Sequence, residues 1–241
     1  MPKQHTNINV AILVDGGFFL KRYKSIFGHL NYTPAKAASA ISNLAHEHLE
    51  DGNYLYRIFY YDCAPFDKKI HHPITKKVVD FKKSAEYQFR CELFEELKKK
   101  RKVALRLGTI KDNGSWGIYP IALEKLLKGK IKYDELTAKD LFYNMRQKGI
   151  DMKIGVDIAS LAFKKLVHKI VLIAGDADFV PASKLARREG VDFVLDPMWN
   201  NVDASLFEHI DGLKSTIKRP KVVKQTKHAQ AKSKHVPENE N

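Results

Sequence analysis

The sequence predicts an α/β domain on a mainly parallel sheet of about five strands, with helices on both faces. Two short apolar runs, residues 10–14 and 170–174, have the composition of central strands buried on both sides. Around them strand-like and amphipathic helical segments alternate, with short junctions in the second half. At 241 residues and 44% hydrophobic content, the chain can bury one sizeable core.

Residues 9–14 form the first strand, and Gly16-Gly17 lets the chain turn sharply at its end. Thr33 caps a helix that starts at Pro34 and turns Ile41, Leu44 and Leu49 inward. The aromatic run 54–61 is the second strand, closed by Asp62 and Pro65. Residues 66–83 are basic and irregular, which predicts a long loop and a candidate substrate-facing arm. A helix from about Ser84 carries Tyr87, Cys91, Phe94 and Leu97 at helical spacing and ends in a cationic run, suited to the negative end of its dipole.

Residues 103–107 are the third strand, 111–115 a turn, and 116–119 a short strand pairing back as a hairpin. Residues 120–148 predict short helical pieces, with Thr137 and Asp140 at capping-box spacing. Asp151 is expected to cap the next helix, which bears Ile154, Ile158 and Leu161 on one side. The fourth strand is 170–174, and the helix 179–188 begins with Asp178 as its cap and Pro181 in its first turn. Residues 191–195 are the fifth strand, and 203–213 a last helix with Leu206, Phe207, Ile210 and Leu213 facing inward. The domain therefore spans 1–213. Beyond it, the lysine-rich stretch 214–241 is too polar to bury a core.

The net charge is +14. From Lys214 onward eight basic residues face only Glu238 and Glu240, which leaves +6 in the tail and +8 in the body. Such a chain attracts polyanions, so nucleic acid is the leading partner. No apolar run approaches the roughly 18 residues of a membrane span. Two cysteines, Cys63 and Cys91, are too few for a disulfide framework or a structural zinc site, which fits a reducing cytoplasm. Oligomeric state is open, a homodimer being one assembly the sequence allows.

The chemistry is carried by aspartates. Asp15 and Asp176 each follow an apolar strand, and ligand sites of parallel sheets lie outside the carboxyl ends of the strands. Asp178 follows two residues later, as a helix cap, a site residue or both. Asp157 sits beside the apolar stripe of its helix, at the solvent boundary or aimed into a site, and Asp151 is first a helix cap, with metal or water contact as its second role. Two carboxylates about 4 Å apart repel by roughly 4 kcal/mol at an effective dielectric near 20. Convergence would thus call for a divalent cation, and an all-oxygen donor set suits Mg²⁺ or Mn²⁺.

Taken together, Val14-Asp15-Gly16-Gly17, Tyr60-Tyr61-Asp62, Lys148-Gly149-Ile150-Asp151 with Asp157, and Gly175-Asp176-Ala177-Asp178-Phe179-Val180-Pro181 resemble the NYN domain, specifically its bacterial LabA-like branch, within the PIN-like nucleases. The resemblance runs from Asn9 to about Leu213. It implies a Rossmann-like PIN fold and metal-dependent ribonuclease activity on RNA, single-stranded RNA being the form expected, with Asp15, Asp157, Asp176 and Asp178 at the acidic positions and Asp151 assisting. The chain departs from the pattern at Phe18 and Phe19, where many relatives carry a small polar residue or Asn, and at Ala174 and Ala177, where many carry Ser.

On this reading, an aspartate cluster holds one or two ions that polarise the scissile phosphate and activate water. Lys21, Arg22, Arg106 and the basic stretch 68–83 are candidates for flanking phosphates, and Tyr60 and Tyr61 are either core residues or stacking platforms for a base. The alternative is a nucleic-acid-binding module without catalysis, whose acidic pocket binds metal only for stability. A haloacid-dehalogenase-type phosphotransferase would need DxDx[TV] after the first strand, which Asp15-Gly16-Gly17-Phe18-Phe19 does not match.

Overall fold

The computed structural model describes residues 8–28 and 32–218. Its centre is a seven-stranded sheet built from β1 (Ile8–Asp15), β2 (Asn53–Cys63), β5 (Val103–Ile118), β6 (Leu141–Lys148), β7 (Lys169–Ile173), β8 (Asp192–Asp196) and β9 (Gly212–Leu213). The order is β6-β5-β2-β1-β7-β8-β9, and every neighbouring pair is parallel except β5 with β6. The five predicted strands are present, with β6 and β9 added at the edges.

Burial along β1 follows from the pleat. Val10, Ile12 and Val14 enter one core, with residues of α1 (Gly16–Phe27), α2 (Pro34–Glu47) and α3 (Ala85–Lys98). Ala11 and Leu13 enter the other, against α5 (Ile150–Phe163) and α6 (Val180–Arg188). Successive side chains of a strand point to opposite faces, so a strand apolar at every position is one covered on both sides. Each fully buried aliphatic side chain contributes about 1.5–3 kcal/mol.

Several expectations held at the level of single side chains. Thr33 Oγ1 accepts the Lys36 backbone N–H, and the helix expected from about Ser84 begins at Ala85, with Ser84 Oγ as a cap the sequence reading had not assigned. The Asp140 carboxylate accepts from the backbone N–H and hydroxyl of Thr137.

Other expectations are corrected. Gly16-Gly17 opens helix α1 rather than a bare turn, because Asp15 caps it and Phe19, Leu20 and Tyr23 supply a buried side. The segment 66–83 is a hairpin, β3 (Lys69–His71) with β4 (Val78–Asp80), leading into a 3₁₀ turn. Residues 111–115 do not end a strand. β5 runs on through them, its register shifting between Asp112 and Trp116, and Asp112 Oδ1 accepts the Gly114 N–H inside the irregularity. The predicted hairpin strand 116–119 therefore pairs with β6, not with residues 103–107.

Within 120–148, α4 (Pro120–Leu127) and two 3₁₀ turns are helical pieces as expected, whereas 141–148 is strand, fixed by its ladder to β5. The last helix shrinks to α7 (Ala204–Phe207), since Gly212 and Leu213 leave it to pair with β8. The chain stays attached just beyond: Lys214 N–H reaches the Leu195 carbonyl, and Trp199 Nε1 donates to the Ile217 carbonyl. Residues 219–241, most of the sequence-defined tail, lie outside the described residues. Among the described residues no helix is long and apolar enough to cross a membrane.

Candidate functional site: an acidic crevice at the carboxyl edge of the sheet

From β1 the chain moves outward through β2 to β5 on one side, then returns to place β7 and β8 on the other. The crevice where strand order reverses lies between the carboxyl ends of β1 and β7, the place where parallel α/β sheets bind ligands. Asp15 ends β1, paired with Tyr61 of β2, and Asp176 follows β7 by three residues.

Both aspartates also have structural work that the sequence did not reveal. Asp15 Oδ1 accepts the Phe18 N–H at 3.1 Å and caps α1. Asp176 Oδ1 accepts the Asp178 N–H at 3.2 Å and caps the 3₁₀ turn before α6. Asp178, expected to be the cap, is instead an exposed carboxylate within that turn. Asp151 is not a cap either. Gly149 holds that position at φ 82°, a left-handed conformation suited to glycine, and Asp151 lies exposed in the first turn of α5.

The carboxylates fall into two groups. Asp15, Asp151, Asp176 and Asp178 are linked by mutual repulsion. Burial first, and then the charge of Asp151, push the Asp15 carboxyl up to about 6 against the backbone N–H bonds that favour its charged form. Burial raises Asp151 too, followed by the charges of Asp176 and Asp178. Among the described residues none of these four has a cation within ion-pair distance.

The second group has its own cations. Asp157 Oδ2 accepts the Tyr61 hydroxyl at 2.8 Å and Arg106 Nε at 3.0 Å. Burial, then the Asp157 charge, drives the Tyr61 phenol far above its ordinary range, so it remains a donor. Asp62, which the sequence reading placed at a strand end and in the Tyr60-Tyr61-Asp62 motif without giving it a role, is fully buried. It binds Arg90 of α3, accepts the Tyr60 hydroxyl at 3.3 Å and the Cys63 N–H at 2.7 Å, and lies 3.5 Å from Gln147 Nε2. The available signal was an aspartate following eight strand residues with an arginine on the next helix, a pairing visible only once the fold joins them.

The basic candidates separate similarly. Lys21 is exposed on α1. Arg22 grips the Met198 carbonyl through Nη2 at 2.7 Å and Nε at 3.2 Å, where the backbone turns left-handed at Met198 and Trp199. Arg106 pairs with Asp157 and lies over the Phe59 ring. Tyr60 and Tyr61 are fully buried, which makes them core residues rather than exposed stacking platforms.

Two glycines make the crevice. A β-carbon on Gly16 would sit 2.6 Å from the Tyr60 ring and from the Tyr61 carbonyl oxygen, so α1 can start this close to β2 only without a side chain. A β-carbon on Gly175 would lie 2.5 Å from the Phe18 ring. Phe18 thus packs on the glycine before Asp176.

Carboxylate oxygens, with repulsion a cation would relieve, suit Mg²⁺ or Mn²⁺. Among the described residues no three His, Cys, Asp or Glu side chains already stand in ion-holding geometry.

Residues 92–202 match the NYN domain family, a stretch that takes in Asp151, Asp157, Asp176 and Asp178 and begins after Asp15 and Asp62. The match supports an NYN domain here, and the mostly parallel seven-stranded sheet flanked by helices is consistent with the PIN-like fold of that family. A crystal structure of a protein of unknown function from Vibrio parahaemolyticus is similar at 15% identity and a TM-score of 0.45, over 90% of this chain and 96% of that one. No curated protein matches the chain.

Proposed function

We propose that this chain is a metal-dependent ribonuclease that hydrolyses phosphodiester bonds of single-stranded RNA at the acidic crevice, with Asp15, Asp151, Asp176 and Asp178 holding Mg²⁺ or Mn²⁺. The observation that carries it is four carboxylates at the point where strand order reverses, with no cation at ion-pair distance among the described residues and one of them raised to about 6. The NYN match adds the nuclease superfamily, and the LabA-like branch and a cytoplasmic location belong to the same reading.

When bound, the ion supplies Lewis-acid polarisation of the scissile phosphate. The chain supplies orientation: the Phe18 N–H holds Asp15 Oδ1 and the Asp178 N–H holds Asp176 Oδ1, which fixes both carboxylates at the carboxyl edge of the sheet. Asp157 acts as a positioning residue, tying α5 to β2 and β5 through Tyr61 and Arg106. Lys21 offers a charge for a flanking phosphate, while Arg22 and Arg106 are held by protein partners.

Cleavage of labelled single-stranded RNA in Mn²⁺ or Mg²⁺ tests the reading. Asp176→Asn, with an unchanged circular dichroism spectrum, should abolish it; cleavage persisting in that variant and in EDTA would sink it. A second reading, an RNA-binding module without catalysis, is favoured by the capping work that already occupies Asp15 and Asp176. It predicts binding with no cleavage in either metal. Both readings predict that deleting residues 219–241, which carry six basic residues against two acidic, weakens RNA binding and flattens its salt dependence.

A further inference from the structure

Next to the acidic crevice, between α3, the hairpin arm and the β5–β6 ladder, lies a cavity of about 330 Å³. Its walls include Phe66, Phe81 and Tyr87, and its polar lining includes Arg90 and Gln147. Phe66 and Phe81 meet edge to face at 5.1 Å, with Tyr143 behind Phe66 at 5.8 Å, so Phe66 is braced from two sides.

Gln147 joins this cavity to the crevice. A β-carbon built on Gly17 would lie 3.4 Å from Asp15 Oδ1 and 3.6 Å from Gln147 Oε1, so the two side chains face each other across that glycine. The other end of the same amide lies 3.5 Å from Asp62 Oδ1. The cavity thus begins beside the first carboxylate of the crevice.

We propose that this cavity is a nucleobase subsite, receiving one unstacked base of a single-stranded RNA whose neighbouring phosphate lies at Asp15. The claim rests on the ribonuclease reading for its orientation. A base is flat and apolar on its faces and polar along its edge, which matches aromatic walls with an amide and a guanidinium at the rim. A purely apolar ligand would make no use of the Gln147 amide oxygen, the end of that side chain turned toward Gly17 rather than toward Asp62. A bare phosphate would meet an Arg90 already bound by Asp62 and Glu86. The exposed Lys82 and Lys83, just before α3, give the strand a cationic approach.

The test uses short single-stranded RNAs in which one 2-aminopurine is moved position by position, bound to the full chain carrying Asp15→Asn so that nothing is cut. Quenching at one position is expected, lost on adding Phe66→Leu, with Gln147→Ala weakening affinity about tenfold. Gln147 is exposed, so its variant remains informative if Phe66→Leu disturbs the arm. Binding without quenching at any position, or quenching that survives both substitutions, overturns the subsite and leaves the ribonuclease reading standing. Quenching of 2-aminopurine riboside monophosphate that depends on Phe66 and Gln147, with no RNA cleavage by the unmodified chain, keeps the subsite and removes the hydrolytic reading. Absence of binding by RNA and nucleotide alike overturns the subsite.

Discussion

Asp62 and Asp15 lie at the carboxyl ends of adjacent strands, yet their partners differ. Asp62 is fully buried but surrounded by donors, with Arg90 as its cation. Asp15 is half-buried, accepts one capping N–H and faces further carboxylates. Paired carboxylates hold a scaffold together, whereas carboxylates kept near one another without a cation cost stability that only a ligand would offset. The same contrast separates Asp157, tied to Arg106 and Tyr61, from Asp151 six residues earlier on α5.

The contrast is broken most directly at the level of activity. On the ribonuclease reading, Asp15→Asn or Asp176→Asn removes metal-dependent RNA cleavage by orders of magnitude at unchanged fold, as measured by initial rates in Mn²⁺. Stability should then invert the ranking. Arg90→Met strands a buried charge on Asp62 and should cost about 3–5 kcal/mol in urea denaturation, with much of the loss recovered in the Asp62→Asn, Arg90→Met double variant. A single-variant loss below about 1 kcal/mol would show that Asp62 is less confined than its burial implies.

Asp15→Asn should move stability the other way when metal is absent. The folded-state value of about 6 lies above the ordinary 3.8, so the folded protein holds a proton that the unfolded chain releases between these values. The group is therefore neutral in both states below about pH 3.8. Its cost grows as pH rises toward 6 and stays constant above. The asparagine variant keeps the cap, gains at most about 3 kcal/mol in EDTA at pH 7, and loses the advantage near pH 4. Equal stability of the two proteins across that range would mean Asp15 is better solvated than described. The smallest effect belongs to Arg106→Ala, since an exposed arginine pair contributes about 0–1 kcal/mol.

The parallel core was legible because buried strands need apolar side chains at every position and leave them nowhere else to go. Residues 10–14 and 170–174 therefore declared themselves, as did local caps such as Thr33 and the Thr137–Asp140 box, whose partners lie three residues away. What escaped depended on contacts far along the chain. β6 is a strand because β5 extends to meet it, and α1 opens on Gly16 because Tyr60 occupies the space a side chain would take. The acidic set was nameable from position, but its division into paired and unpaired members was not, because Arg90 and Arg106 lie 28 and 51 residues from the carboxylates they bind.

Gly16 carries a consequence for mutational scanning. Even alanine there would drive a methyl group into the Tyr60 ring and the Tyr61 carbonyl, so a screen scored on lost activity would rank Gly16 beside the aspartates it adjoins. Yet it contributes no chemical group. In a thermal-shift assay the two classes should part, glycine variants melting early while asparagine variants at Asp15 hold or gain, and intolerance alone would mistake a spacing requirement for a reacting residue.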